Sequence, residues 1–96
     1  MATLSDDDVS AGLSGLTDWR RDGDEIVRDV ECPSFSEAIS FVTRIADLAE
    51  AANHHPDIDI RYHKLRIALT SHDAGGLTQR DLDLAAQIDA TAPASG

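Results

Sequence analysis

Residues 34–56 read SFSEAISFVTRIADLAEAANHHP, and this segment decides the fold because it combines the strongest helical pattern of the chain with an abrupt end. At about 100° per residue its apolar side chains form two adjacent stripes, one of Phe35, Ile39, Val42, Ala46 and Ala49 and the other of Ala38, Phe41, Ile45, Leu48 and Ala52. Together the stripes span about 180° of the helix surface, whereas packing on one core needs little more than about 100°. We therefore predict a helix over 34–53 that packs on the protein's own sheet and on a second surface, such as a partner subunit. Pro56 prevents the helix from continuing.

Two strands are predicted on each side of this helix. On the N-terminal side, 19–23 and 25–32 form a hairpin, because an Arg-Asp-Gly-Asp turn separates them and the second segment has apolar residues at alternate positions. On the C-terminal side, 58–62 is a short strand and 65–69 is a clear one, in which apolar residues alternate with basic or small ones.

A helix is predicted at each end of this arrangement. Ser5 followed by three aspartates indicates the start of a short first helix that ends near Gly15. A hydrophobic staple around Thr78, with Asp81 at the capping-box position, indicates the start of a last helix over about 79–89. The order helix, two strands, helix, two strands, helix predicts an α+β fold, a four-stranded antiparallel sheet with three helices packed on one face.

Length and composition limit the classes of function. Ninety-six residues allow one domain, 1–96, in which we expect 1–4 and 91–96 to be frayed. Eight basic and eighteen acidic residues give a net charge of −10, which opposes binding to nucleic acid. The single cysteine, Cys32, excludes an internal disulfide and is consistent with a reducing compartment. Because the sequence shows neither a signal pattern nor an apolar run of about 20 residues, we predict a cytoplasmic protein with no membrane contact.

All four histidines lie between positions 54 and 72, which indicates proton transfer or metal binding. Glu50 and His54 are four residues apart and share a helix face if the helix extends that far, so the carboxylate would orient the imidazole. His55 leaves in another direction, and His72 follows the last strand and could return to the same place. An acid/base pocket and a metal site made of these four residues fit the pattern equally well. His63, in a turn among basic residues, is interpreted as structural.

The spacing of these residues resembles a known family. The order Glu50-x3-His54-His55-Pro56-x5-Tyr62-x9-His72-x8-Asp81 is similar to the signature of the pterin-4a-carbinolamine dehydratases, and the likeness extends over about 13–89. The resemblance implies an enzyme without metal or other cofactor that eliminates water from a 4a-hydroxytetrahydropterin, giving the quinonoid dihydropterin. It also implies recycling of the tetrahydropterin that aromatic amino-acid hydroxylases use.

The same resemblance implies roles for individual residues. His54 and His72 would be the acid/base pair, with Glu50 orienting His54 and with His55 holding the pterin or sharing the proton transfer. The residues expected to bind the substrate are Trp19, Asn53, Tyr62, Ser71 and Asp81. Ser71 departs from the threonine that the family often has, although a hydroxyl remains.

The resemblance further implies self-association, either as homodimers extended through the sheet or as tetramers whose helices pack together. Functional coupling to an aromatic amino-acid hydroxylase is a further expectation. The alternative function is a non-catalytic pterin-binding, assembly or coactivator module on the same fold. The presence of Glu50, His54, His55 and His72 together argues against that alternative, because a scaffold does not need this set.

Overall fold

The predicted alternation of helices and strands is observed in the computed structural model, which describes residues 3–93. The elements in chain order are α1 (Asp6–Leu13), β1 (Arg20–Asp22), β2 (Glu25–Glu31), α2 (Phe35–Ala52), β3 (Asp57–Arg61), β4 (Lys64–Leu69) and α3 (Gln79–Thr91). The α+β class is thereby confirmed. Of the segments expected to fray, 1–2 and 94–96 lie outside the described residues. Leu4 donates its backbone N–H to the carbonyl of Leu77, and Thr91 still belongs to α3.

The four strands form one antiparallel sheet in the order β1-β2-β4-β3. In the central pair, Ile26 lies opposite Leu69 and Val30 lies opposite Leu65. Since opposite residues of an antiparallel pair point to the same face, the apolar residues of both strands cover one side of the sheet.

That apolar side carries all three helices. A single core joins side chains of α1, α2 and α3 to the inner face of the sheet, and its largest fully buried members are Val9, Ile26, Phe41, Ile45, Ile67, Leu69, Leu84 and Ile88. Gly12 allows α1 to approach α3, because a Cβ atom at this position would lie 2.4 Å from Cδ1 of Leu82. The packing of α1 therefore explains a glycine that weakens the helical pattern of the sequence.

The two stripes of α2 differ in burial. Ala38, Phe41 and Ile45 of one stripe are buried in the core, whereas Phe35 and Ile39 of the other keep 50% and 39% of their surface exposed. Ala49, at the far end of this second stripe, is buried as well. The prediction that the helix packs on the protein's own core is confirmed, and the stripe of Phe35 and Ile39 faces outward at its N-terminal end within this chain. Among residues 3–93, no helix combines the length and apolar character needed to span a bilayer.

Candidate functional site

Three separate segments meet at one end of the sheet. Because β3 and β4 are antiparallel and Asp57 pairs with Ala68, the start of β3 lies beside the end of β4. Ile26 pairs with Leu69, so the tip of the β1–β2 hairpin lies at the same end. We call this place the histidine end, and it consists of residues 53–56, 70–76 and 22–25.

Asn53 determines how the chain enters the histidine end. It is the C-cap of α2 and has left-handed backbone angles, φ 49° and ψ 44°. Asparagine adopts this conformation more readily than most residues. The helix therefore stops at Ala52, two residues too early for Glu50 and His54 to share a helix face. The substrate-binding role predicted for Asn53 remains a prediction, whereas its backbone role is evident.

The carboxylates and the two adjacent histidines pair differently from the prediction. Glu50 Oε2 lies 2.5 Å from Nε2 of His55, and Asp81 Oδ1 lies 2.6 Å from Nε2 of His54. The predicted pairing of Glu50 with His54 is wrong, because the left-handed turn at Asn53 directs His54 inward toward α3. The orienting carboxylate of His54 comes instead from the first turn of α3.

Asp81 stands at the centre of a buried hydrogen-bond network. Its Oδ2 accepts a hydrogen bond from the Ser71 hydroxyl and one from the backbone N–H of Thr78, both at 2.9 Å. The Ser71 and Thr78 hydroxyl oxygens are 2.8 Å apart. Asp81, Ser71 and Thr78 are fully buried, and His54 is 7% exposed. The capping box predicted at Asp81 is confirmed.

The burial of Ser71 and Asp81 corrects their predicted role. Neither side chain has surface that a substrate could contact in this conformation. Asp81 instead contacts His54 from the interior, and Ser71 donates a hydrogen bond to Asp81. Thr78, which the sequence indicated only as a helix cap, belongs to the same buried network. The capping box was the one sequence signal that linked Thr78 to Asp81.

His72 is exposed on the turn that follows β4, where it lines a cavity of about 370 Å³. This volume lies in the range of small-molecule sites. The other residues that line the cavity are Thr70, Gly75, Gly76 and three acidic residues of the hairpin tip, Asp22, Asp24 and Glu25. No local signal in the sequence indicated these carboxylates as part of the site. Only the strand register, which places the hairpin tip beside the end of β4, brings them to His72.

An ion pair holds the turn that carries His72. Arg80 donates a hydrogen bond of 2.7 Å to Asp73, and this bond keeps the pKa of the Asp73 carboxyl below its ordinary value. Arg80 belongs to the first turn of α3, one residue before Asp81. The turn and the buried network are thus anchored to the same helix end.

Two residues predicted to bind the substrate lie elsewhere. Tyr62 is 71% exposed and occupies the turn after β3. At about 3.3 Å per residue, this turn lies about 16 Å from the start of the strand. Trp19 is 5% exposed within the core, and its indole N–H donates to Asp89 at 2.8 Å. Asp89 lies about 12 Å along α3 from Asp81. The structure does not bring either side chain to the histidine end, because the strand register and the helix axis separate them from it.

The fourth histidine has the structural role that was predicted. His63 donates from Nδ1 to the carbonyl of Cys32 at 3.0 Å, at the opposite end of the sheet. The thiol of Cys32 is buried, and this burial raises its pKa. A larger cavity of about 580 Å³ lies at this opposite end, lined by residues 29–31, 59, 61 and 64–66 without an imidazole.

The metal-ligand set considered in the sequence is not assembled. Glu50 pairs with His55, while His54 pairs with Asp81, so the predicted ligands point to different partners. Within residues 3–93, no group of three or more histidine, cysteine or acidic side chains has an arrangement that could hold a metal ion.

Comparisons with known proteins agree on one family. The model of the family described as Pterin 4 alpha carbinolamine dehydratase matches residues 2–91. A relative from Roseiflexus sp. (strain RS-1) is 59% identical over 90 residues, which cover 93% of this chain and 97% of the relative. A relative from Nocardia farcinica is 55% identical over 86 residues, which cover 90% of each chain. Both relatives carry the name "Putative pterin-4-alpha-carbinolamine dehydratase".

Solved structures share the fold. The crystal structure of a transcriptional coactivator/pterin dehydratase from Brucella melitensis superposes with a TM-score of 0.91 and 27% identity, covering 95% of this chain and 99% of that one. A pterin dehydratase-like protein described as a RuBisCO assembly factor of the alpha-carboxysome superposes with a TM-score of 0.64 over 75% of this chain and 86% of that one. At 24% identity, this second likeness shows the fold alone.

Proposed function

The chain belongs to the pterin-4a-carbinolamine dehydratase family, and we propose that it eliminates water from a 4a-hydroxytetrahydropterin to give the quinonoid dihydropterin. The observation that carries this proposal is that the segments of His54, His55 and His72 lie at one end of the sheet, where Asp81 bonds both to His54 and to Ser71, the residue before His72. These residues come from two segments that are separated by a β-hairpin in the sequence.

The reaction needs two proton transfers. A base removes the proton of the ring nitrogen next to carbon 4a, and the released electron pair forms the carbon–nitrogen double bond. The bond between carbon 4a and its hydroxyl oxygen breaks as this double bond forms, and an acid protonates that oxygen so that it leaves as water. Imidazole suits both steps because its unperturbed pKa lies close to neutral pH.

We assign the two transfers to His54 and His72. His72 lines the cavity, and His54 is held by Asp81 in the buried network next to it, through the Ser71 hydroxyl. His55, exposed and paired with Glu50, would hold the pterin or assist the proton transfer. The carboxylates of Asp22, Asp24 and Glu25 would accept hydrogen bonds from the N–H groups of the pterin's pyrimidine half.

The setting of the reaction is also part of the proposal. We propose that the enzyme acts in the cytoplasm without a metal, and that its product returns to the tetrahydropterin pool of an aromatic amino-acid hydroxylase. The acid/base assignment needs no metal, because every proton donor and acceptor named above is a side chain of this chain.

The outward stripe of α2 supports self-association. Phe35 and Ile39 are exposed there, and Ile60 of the edge strand β3 is 40% exposed. We propose that copies of this chain cover these side chains in a homodimer or homotetramer. In analytical ultracentrifugation, Ile39→Asp should dissociate the assembly and the neighbouring exposed Ser40→Asp should not. A wild-type monomer at micromolar concentration would refute the assembly.

A dehydration assay with a 4a-hydroxytetrahydropterin tests the activity. His54→Ala and His72→Ala should each lower kcat by roughly 10²-fold or more, since general acid–base groups contribute about 10²–10⁴. His63→Ala is the matched control, because this histidine lies at the other end of the sheet and should leave kcat unchanged.

Three results would overturn the proposal. The first is an unchanged rate in both folded variants at positions 54 and 72, which would refute the acid/base assignment. The second is loss of wild-type activity after treatment with a chelator, which would favour the metal site instead. The third is an inactive wild-type protein, which would favour the non-catalytic module on the same fold.

A further inference from the structure

The proton positions around Asp81 follow from the hydrogen bonds that its carboxylate receives. An ionised carboxylate can only accept hydrogen bonds. Its Oδ2 accepts from the Thr78 backbone N–H, which is always a donor, and from the Ser71 hydroxyl. Because the Ser71 proton is used in this way, the 2.8 Å contact between the two hydroxyls requires Thr78 to donate to Ser71. The hydrogen bonds therefore run in one direction, from the Thr78 hydroxyl to the Ser71 hydroxyl and from there to Asp81.

Oδ1 of Asp81 is left for His54. This oxygen lies 2.6 Å from Nε2 of His54, and a close contact between a carboxylate oxygen and a ring nitrogen requires the nitrogen to carry the proton. In a neutral histidine, the hydrogen bond made by one ring nitrogen decides the state of the other. We infer that Asp81, supported by Ser71 and Thr78, holds His54 with Nε2 protonated, so that Nδ1 is the nitrogen that exchanges a proton with the substrate.

Burial makes this arrangement rigid. Asp81 is fully buried and His54 is 7% exposed, so water competes little for either partner. Hydrogen bonds within such a network are electrostatically stronger than in water. The backbone N–H of His54 also donates to the carbonyl of Ala49 at 3.0 Å, which fixes the start of the segment. Asp81, Ser71 and Thr78 act through His54 and are positioning residues.

The substitution Asp81→Asn should change the tautomer of His54 while it preserves the shape of the site. The asparagine carbonyl oxygen can still accept from Thr78 and Ser71 in place of Oδ2. Its NH2 group then faces Nε2 of His54, and this nitrogen must become an acceptor. We expect the variant to hold the opposite tautomer, with the proton on Nδ1.

Nitrogen-15 NMR of the imidazole rings tests the inference directly. At a pH where His54 is neutral, the wild-type protein should show a protonated Nε2 and an unprotonated Nδ1, and Asp81→Asn should show the reverse. His54→Gln identifies the signal by its disappearance, and His63 serves as the internal reference, with Nδ1 protonated in both proteins.

The wild-type spectrum is decisive even if the variant does not fold. A wild-type Nδ1-protonated tautomer would overturn the inference, and so would two protonated nitrogens at every pH at which the protein is folded. An unchanged tautomer in a folded Asp81→Asn variant would also overturn it.

The role of Nδ1 in catalysis rests on the proposed function, and kinetics test it separately. Asp81→Asn should lower kcat by roughly 10²-fold or more, as for loss of a general acid or base, with little change in KM. Normal turnover by a variant with the reversed tautomer would refute the catalytic use of Nδ1. If the wild-type protein has no dehydratase activity, the proposed function fails while the NMR result on the tautomer still stands.

Discussion

Two neighbouring histidines show how far the surroundings determine the behaviour of the same chemical pair. His54 and His55 each place Nε2 about 2.5 Å from a carboxylate, Asp81 in one pair and Glu50 in the other. The first pair is buried, with side-chain exposures of 8% and 0%, and the second is open, with 58% and 76%. Similar distances therefore occur in different surroundings, since water is largely excluded from the buried pair and reaches both partners of the open pair.

The difference also concerns energy. Removing one partner of a buried pair leaves an uncompensated polar group and costs several kcal/mol. Exposed ion pairs contribute about 0–1 kcal/mol because solvent screens them. Substitutions in the buried pair should therefore change stability more than substitutions in the open pair.

Asp81→Ala should be the most destabilising substitution at the histidine end. It leaves the donors of His54, Ser71 and Thr78 without an acceptor in the interior, and breaking a buried pair costs about 3–5 kcal/mol. Urea unfolding followed by circular dichroism measures the loss. A decrease below about 1 kcal/mol would mean that the buried network contributes no more than a surface pair.

Asn53→Ala should disturb both histidines because it changes the turn that separates them. Alanine carries a β-carbon without the polar group that eases left-handed angles, and this conformation costs roughly 1–2 kcal/mol for ordinary residues. Asn53→Gly is the matched control, since glycine adopts a positive φ readily. In thermal unfolding, the free energy of unfolding of the alanine variant should be about 1 kcal/mol lower than that of the glycine variant. Equal stabilities would show that the left-handed cap is not needed.

Glu50→Ala should have only a small effect on stability. The Glu50–His55 pair is exposed, so its loss should change the free energy of unfolding by less than about 1 kcal/mol, and added salt should reduce the difference further. Parallel urea titrations of the wild type and the variant at low and high salt measure this. A loss comparable to that of Asp81→Ala would remove the distinction between the two pairs.

Asp73→Asn should show the weakest effect, and one that depends on pH. Because the Arg80 hydrogen bond lowers the folded pKa of Asp73 below its ordinary value of 3.8, the unfolded chain binds the proton more readily. The contribution of this carboxylate is therefore present above about pH 3.8 and is lost as the pH falls through the folded pKa. Unfolding curves should differ slightly between wild type and variant at pH 7 and converge in strong acid. A difference that persists at the lowest pH would require another explanation.

Most of the fold could be predicted from the sequence because its signals are local. The start of α2 at Ser34, the capping box at Asp81 and the alternation in β4 each depend on residues within a few positions of one another. The gathering of three histidines at one end could also be predicted from their positions just before β3 and just after β4. The role of Gly12 could not, because it depends on a contact with Leu82, 70 residues later.

The sequence by itself determined the elements, their order and the imidazoles that form the candidate site, because capping, periodicity and chain order are properties of neighbouring residues. Only the tertiary structure decided which carboxylate serves which histidine. Asp81 lies 27 residues from His54, and one left-handed residue at Asn53 is enough to turn His54 away from Glu50 and into the interior. Spacing along a helix cannot reveal a partner that a different helix provides.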